Sequence, residues 1–179
     1  MRVIAGTARG TSLAAPRDKV TRPITDRVKE TLFGILADRV VDARVLDLYA
    51  GSGAIGIEAL SRGAASATFV ERGRDAVAAI RANLARTRLD GAAEVRPTDV
   101  MRWLASAPAD DRYDLAFLDP PYEERAILAP LERLVPLLMP GATVVVKHFW
   151  RTEVPAIAGL RSWRERRFGE TALTFLEVP

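Results

Sequence analysis

At 179 residues, 49% of them apolar, the chain has the bulk for one well-buried core and not for two. It contains no cysteine and a single histidine, His148, which excludes disulfides, thiolate nucleophiles and Cys/His zinc centres, so no metal is expected and the chemistry must come from oxygen and backbone groups. The formal charge of +3 is unevenly placed: residues 1–29 hold Arg2, Arg9, Arg17, Lys19, Arg22, Arg27 and Lys29 against only Asp18 and Asp26, an arm suited to a polyanion. Against that reading, only three of the 26 basic residues are lysine, so part of the arginine content reflects composition rather than contact.

The first segment, "RVIAGTARGTSLAAP", has glycine turns between short apolar stretches and predicts a small strand pair, making residues 1–21 a basic amino-terminal extension with a β-hairpin. In "RPITDRVKETLFGILADRV", Val28, Leu32, Ile35, Leu36 and Val40 fall on one helical face, with Thr25 or Asp26 as N-cap. From residue 44 short apolar runs alternate with amphipathic segments, the signature of βα units. The strands are "RVLDLY", "SATFVE", "AEVRP", "YDLAFLD" and "ATVVVKHF", the last opened by the turn residues Pro140 and Gly141. Val77, Ile80 and Leu84 mark one intervening helix, and Ile127, Leu131, Leu134 and Leu138 another. In the tail, "LRSWRERRF" and "TALTFLEV" flank Gly169 and Glu170 as two strands joined by a tight turn.

The expected fold is α/β: a Rossmann-like, doubly wound, mostly parallel seven-stranded sheet with an antiparallel carboxyl-terminal strand, in one domain spanning 1–179. No run approaches membrane-spanning length and no signal peptide is evident, so the expectation is a cytoplasmic protein with no membrane partner and, by default, a monomer.

"DLYAGSGAIG" follows the first core strand and precedes a helix, where an α/β fold opens its ligand crevice. Gly51, Gly53 and Gly56 satisfy the G-x-G-x-x-G spacing, which alone serves dinucleotides and other adenosyl ligands equally. Asp47 argues between them. A carboxylate beside the glycines repels a pyrophosphate but suits a ligand carrying an ammonium and a sulfonium, and S-adenosyl-L-methionine is such a ligand. Glu71, at the end of "ATFVE", could accept from both ribose hydroxyls. Asp99 could accept from the adenine amine, with Val100 and Met101 against the ring; it could equally be the N-cap of the helix "VMRWL", or both.

"FLDPPY" ends a buried strand in an acid, two prolines and an aromatic ring. Proline holds the residue before it in extended geometry, so Asp119 and Pro120 are fixed outside the helical region. A backbone carbonyl of this stiff corner and the Asp119 carboxylate can together accept both hydrogens of an exocyclic amine, and Tyr122 can stack on the base that carries it. In a doubly wound sheet this corner neighbours the glycine loop. A loop in which Pro120 and Pro121 merely end a strand is the plainer alternative. His148 reads as a structural histidine, and Arg161, Arg164, Arg166 and Arg167 read either as RNA contacts or as charges guarding an edge strand.

The blocks "RPITDRVKETLFGIL", "VLDLYAGSGAIGIEALSRGA", "FVE" and "FLDPPY", in this order, resemble the bacterial RsmD-type methyltransferases over residues 1–150. That resemblance implies methylation of the N2 amine of a guanine in 16S rRNA, with 16S rRNA or the small ribosomal subunit particle as partner and S-adenosylmethionine as methyl donor. It implies cofactor positions at Asp47, Gly51, Gly53, Glu71 and Asp99, and a catalytic corner of Asp119, Pro120, Pro121 and Tyr122; Tyr49, Ser52, Val100 and Thr25 are expected beside the cofactor as well. RNA contacts are expected at Arg2, Arg9, Arg17, Lys19 and Arg22. Ile24 and Tyr49 depart from the family pattern, where threonine and phenylalanine are expected. The alternatives are an adenine-N6 DNA methyltransferase, a dinucleotide-binding oxidoreductase, which would leave Asp47 and the prolines unexplained, and a non-catalytic RNA-binding module, which would need no glycine crevice.

Overall fold

The computed structural model describes residues 1–16, 24–108, 110–120 and 125–179. Thr25 caps the first helix, α1 (Asp26–Leu36), its hydroxyl accepting from the Val28 amide at 3.3 Å. A 3-10 turn follows, Ala37–Val40. Then come β1 (Arg44–Leu48), α2 (Ala54–Ser61), β2 (Ser66–Glu71), α3 (Arg74–Thr87), β3 (Ala93–Pro97), α4 (Val100–Ser106), β4 (Tyr113–Leu118), α5 (Arg125–Leu134), β5 (Leu138–Phe149), β6 (Arg161–Phe168) and β7 (Thr171–Glu177).

The seven strands form one sheet in the order β3-β2-β1-β4-β5-β7-β6. β1 to β5 are parallel, and β7 inserts antiparallel between β5 and β6. The order reverses between β1 and β4, so the crevice of the fold opens at their carboxyl ends. Helices cover both faces, which is why β1, β2 and β4 read as nearly continuous apolar runs. One face sets Val45, Phe69, Leu115 and Phe117 against α1, α2 and α3; the other sets Leu46, Ala116, Leu118 and Val144 against α4 and α5.

Three expectations need correction. Leu138 opens β5 instead of closing α5, because the helix stops at Leu134 and a 3-10 turn carrying Pro136 intervenes. The amino-terminal strand pair is reduced to one antiparallel bridge, Arg2 with Ser12. Val3, Gly10 and Leu13 donate across the pair, to the Thr11, Val3 and Met1 carbonyls, but the amides between are spent elsewhere: Ile4 and Ala5 donate to the Glu58 carboxylate, Thr7 to the Ser61 carbonyl and Ala8 to the Ser61 hydroxyl. Lys29, counted with the basic arm, is fully buried and pairs with the fully buried Glu58 at 3.2 Å. Its ammonium also donates to the Arg2 carbonyl. On α1 it lies on the apolar face with Leu32, Phe33 and Leu36, while the expected Ile35 is only half-buried. The segment from Met1 to Leu13 is therefore a strap packed on α2, with Val3, Ala8 and Leu13 in the core, and not a free cationic arm.

Candidate active site

The turn after β1 is shaped by its backbone. Tyr49, Gly51 and Gly53 all have positive φ, 59°, 56° and 76°, and Tyr49 adopts this without glycine's freedom. Gly53 N donates to the Ala50 carbonyl at 2.8 Å, closing the turn just ahead of α2. Gly56 is demanded by space: a Cβ there would stand 2.4 Å from the Phe69 ring and 3.1 Å from the Asp47 carboxylate. Helix α2 thus enters close against β1 and β2, and its first turn faces the crevice.

The acids expected at the strand ends converge on this turn, and each is held by backbone N–H groups. Asp47, only 3% exposed, accepts from Gly56 N at 3.0 Å. Burial pushes its pKa up to about 8; the Gly56 N–H opposes the rise, and the Asp119 and Glu71 charges add to it. Glu71 accepts from Gly51 N at 3.0 Å and Gly73 N at 2.7 Å, so it ties the glycine turn to β2 and is not a solvated strand end. Asp99 caps α4, one oxygen accepting from Met101 N and Arg102 N, while its other oxygen lies 3.7 Å from the Arg72 guanidinium. Val100 is buried behind it. Ser52 touches the strap, its hydroxyl 3.7 Å from the Met1 sulfur and its carbonyl accepting from Asn83.

Across the switch point, Asp119 N donates to the Leu48 carbonyl at 3.4 Å, which places the proline corner beside the glycine turn. Pro120 is buried; Pro121 and Tyr122 lie outside the described residues. The Asp119 side chain retains 36% exposure and meets Lys147 Nζ of β5 at 2.6 Å. Burial raises the Asp119 pKa above the ordinary carboxylate range, and Lys147 works to lower it. Lys147 escaped the sequence reading, although a lysine ending the apolar run "VVVKHF" was the available signal. His148 is buried with both ring nitrogens partnered, by the Phe149 carbonyl and the Thr174 hydroxyl, in keeping with a structural part.

Of the expected RNA contacts, Arg2 lies beside Asp26 at 3.1 Å and Arg9 is exposed; Arg17, Lys19 and Arg22 fall outside the described residues. Among the described residues no helix is long and apolar enough to cross a membrane.

A buried acid behind a close-packed glycine turn, two further carboxylates along the strand ends and an acidic corner across the switch point fit S-adenosylmethionine: the cleft offers oxygen acceptors to a cation and hydroxyls, and among the described residues no cluster of cations to a pyrophosphate. With the strand order and the antiparallel β7, this defines a Rossmann-like class I methyltransferase fold. The chain belongs to the family described as "Conserved hypothetical protein 95", whose model spans residues 1–177, the RsmD-type methyltransferases. It is 38% identical over 177 residues to "Putative rRNA methyltransferase YlbH" of Bacillus subtilis, covering 97% of this chain and 96% of that one. It is 44% identical over 122 residues to "Ribosomal RNA small subunit methyltransferase D" of Escherichia coli, covering 68% of this chain and 60% of that protein. The solved structure of "Putative methyltransferase yhhF" from Escherichia coli superposes with a TM-score of 0.88 at 36% identity, covering 99% of this chain and 97% of that one.

Proposed function

We propose that this protein methylates the N2 amine of a guanine in small-subunit rRNA, in the cytoplasm, with S-adenosylmethionine as donor. The observation that carries the reading is the placement of Asp119, still partly open to the crevice, one strand from the glycine turn and fixed there by Asp119 N on the Leu48 carbonyl. When bound, S-adenosylmethionine supplies an electrophilic methyl group on a sulfonium. The residues of this chain do the rest. One Asp119 oxygen is engaged by Lys147, which leaves the other free to accept an amine hydrogen. A backbone carbonyl of the proline corner accepts the second, so the amine lone pair is turned away from both acceptors and toward the donor side of the cleft. As the new N–C bond forms and the S–CH3 bond breaks, the amine loses one proton, and Asp119, with its pKa raised by burial, is placed to take it. The Lys147 ammonium opposes that rise and so favours the ionised carboxylate beforehand.

The relatives support RNA as the substrate, since YlbH and the Escherichia coli protein are named as rRNA methyltransferases, the latter of the small subunit. The guanine amine rests on the proline corner and the family blocks. The deciding experiment is mass mapping of methylated nucleosides in rRNA from cells with and without the protein, joined to transfer assays on small-subunit rRNA and duplex DNA. Loss of one N2-methylguanosine in the deletion strain is expected. Methylation of adenine in DNA would replace this reading with the DNA alternative, and calorimetry showing NAD bound and S-adenosylmethionine ignored would replace it with the oxidoreductase.

A further inference from the structure

Several surface arginines of the described residues spend their charge within the protein. Arg2 pairs with Asp26, Arg44 with Asp111, Arg72 with Asp99, Arg96 with Glu94, and Arg39 and Arg161 both with Glu177. Two exposed arginines at the crevice end of the sheet do otherwise. β5 runs past Lys147 into Trp150, and Trp150 N donates to the Glu170 carbonyl at 2.9 Å, so the tip of the β6–β7 hairpin lies beside it. The Arg167 guanidinium stands 3.6 Å from the centre of the Trp150 ring, and that of Arg151 stands 4.7 Å from it. Arg167 is fixed further by its Nε on the Gly169 carbonyl at 2.8 Å. Among the described residues no carboxylate pairs with either arginine.

The indole's attraction thus gathers two like charges on one ring, where they repel each other without a paired carboxylate among the described residues. An anion set between or beside them relieves that repulsion. The place is specific: Trp150 is three residues past Lys147, roughly 10 Å along the strand direction from the Asp119 partner. A nucleic-acid strand whose one base reaches Asp119 must lay its neighbouring phosphates over this rim. We infer that Trp150, Arg151 and Arg167 form a preorganised phosphate-binding platform for the RNA backbone flanking the target base. Its geometry is held by Trp150, so the guanidiniums lose little freedom on binding. This rests on the reading of the protein as an rRNA methyltransferase and adds a second contact surface, on the opposite side of the crevice from the strap.

The test is the double variant Arg151→Gln, Arg167→Gln beside Trp150→Leu, each measured for transfer to small-subunit rRNA, for binding of a labelled fragment of it across salt concentration, and for S-adenosylmethionine affinity by calorimetry. The double variant should raise the KM for RNA about tenfold and reduce the magnitude of the salt slope by about 1.5, as two released phosphate contacts require. Trp150→Leu should do part of the same with both arginines present, and S-adenosylmethionine affinity should not move. Unchanged KM and slope in the double variant, with the wild type active on rRNA, overturns the platform alone. A wild type that neither binds nor methylates rRNA overturns the functional reading and the platform with it. Arginine-dependent binding of poly-glutamate, with RNA binding unaffected, assigns the surface to an acidic protein and overturns it too.

Discussion

At the ends of β1 and β2 the carboxylates of Asp47 and Glu71 are held by the backbone amides of Gly56, Gly51 and Gly73; at the ends of β4 and β5 the Asp119 carboxylate is held by one lysine side chain. The difference is one of stiffness. An amide within a packed turn cannot move without moving the turn, whereas a lysine has four rotatable bonds and can follow its partner. The glycine side is built to hold one shape for a cofactor of fixed geometry. The proline side keeps its backbone stiff and its carboxylate adjustable, which suits a group that must meet an arriving base and then take a proton.

The contrast can be broken most severely at Asp119. Asp119→Ala should lower kcat by about 10²–10⁴, the range for losing a positioned acid–base group, while calorimetric S-adenosylmethionine affinity changes little. Full activity in that variant would falsify the mechanism. Lys147→Met sharpens the comparison by removing the adjustable tether alone. It should cost up to roughly 10²-fold in kcat. Because Lys147 lowers the Asp119 pKa, its loss should also move the acidic limb of the pH–kcat profile to higher pH, with Lys147→Arg restoring part of both. A variant with reduced kcat but an unmoved limb would reduce Lys147 to a packing residue.

On the stiff side, Gly56→Ala sets a methyl 2.4 Å from Phe69, so the turn must shift. The expected loss is about 1–3 kcal/mol of stability, read by denaturant titration, together with weakened cofactor binding. The smallest effect on ligand binding and turnover belongs to Asp47→Asn, which keeps an oxygen for Gly56 N. With its folded pKa near 8 against 3.8 for the free group, the folded state binds this proton more tightly, so the ligand-free wild type should lose stability as pH rises from about 4 through 8 and level off above. The variant should lack that slope in melting curves, and its S-adenosylmethionine affinity should fall about tenfold, 1.4 kcal/mol.

The parallel sheet was legible because strands covered on both faces carry uninterrupted apolar runs: β1, β2 and β4 are almost wholly buried and stood out at once. The positions of Asp47, Glu71, Asp99 and Asp119 at strand ends followed from those runs. Their bonding did not, since a carboxylate at a strand end looks the same in sequence whether it faces a ligand or a backbone amide. Lys29 shows a different limit. Counting charges placed it in an arm, although its spacing from Leu32, Phe33 and Leu36 set it on the apolar face of α1. Its partner was visible too: Glu58 is the one charged residue in the helix "AIGIEALS". Pairing the two needed knowledge that α1 and α2 share a face of the sheet, which no local pattern carries. Lys147 was missed for the same reason, because only the β4–β5 register sets it beside Asp119.

The strap has a consequence for biosynthesis. Ala14 exchanges two hydrogen bonds with Asn83, 69 residues further along, and Ile4 and Ala5 depend on Glu58. At about 5–20 residues per second, these residues are synthesised some 3 to 14 s before their partners. During that interval Val3 and Leu13 have no core to enter, so the strap, made before the helices it packs on, is among the last parts of the fold to settle and leaves its apolar side chains for a chaperone to cover.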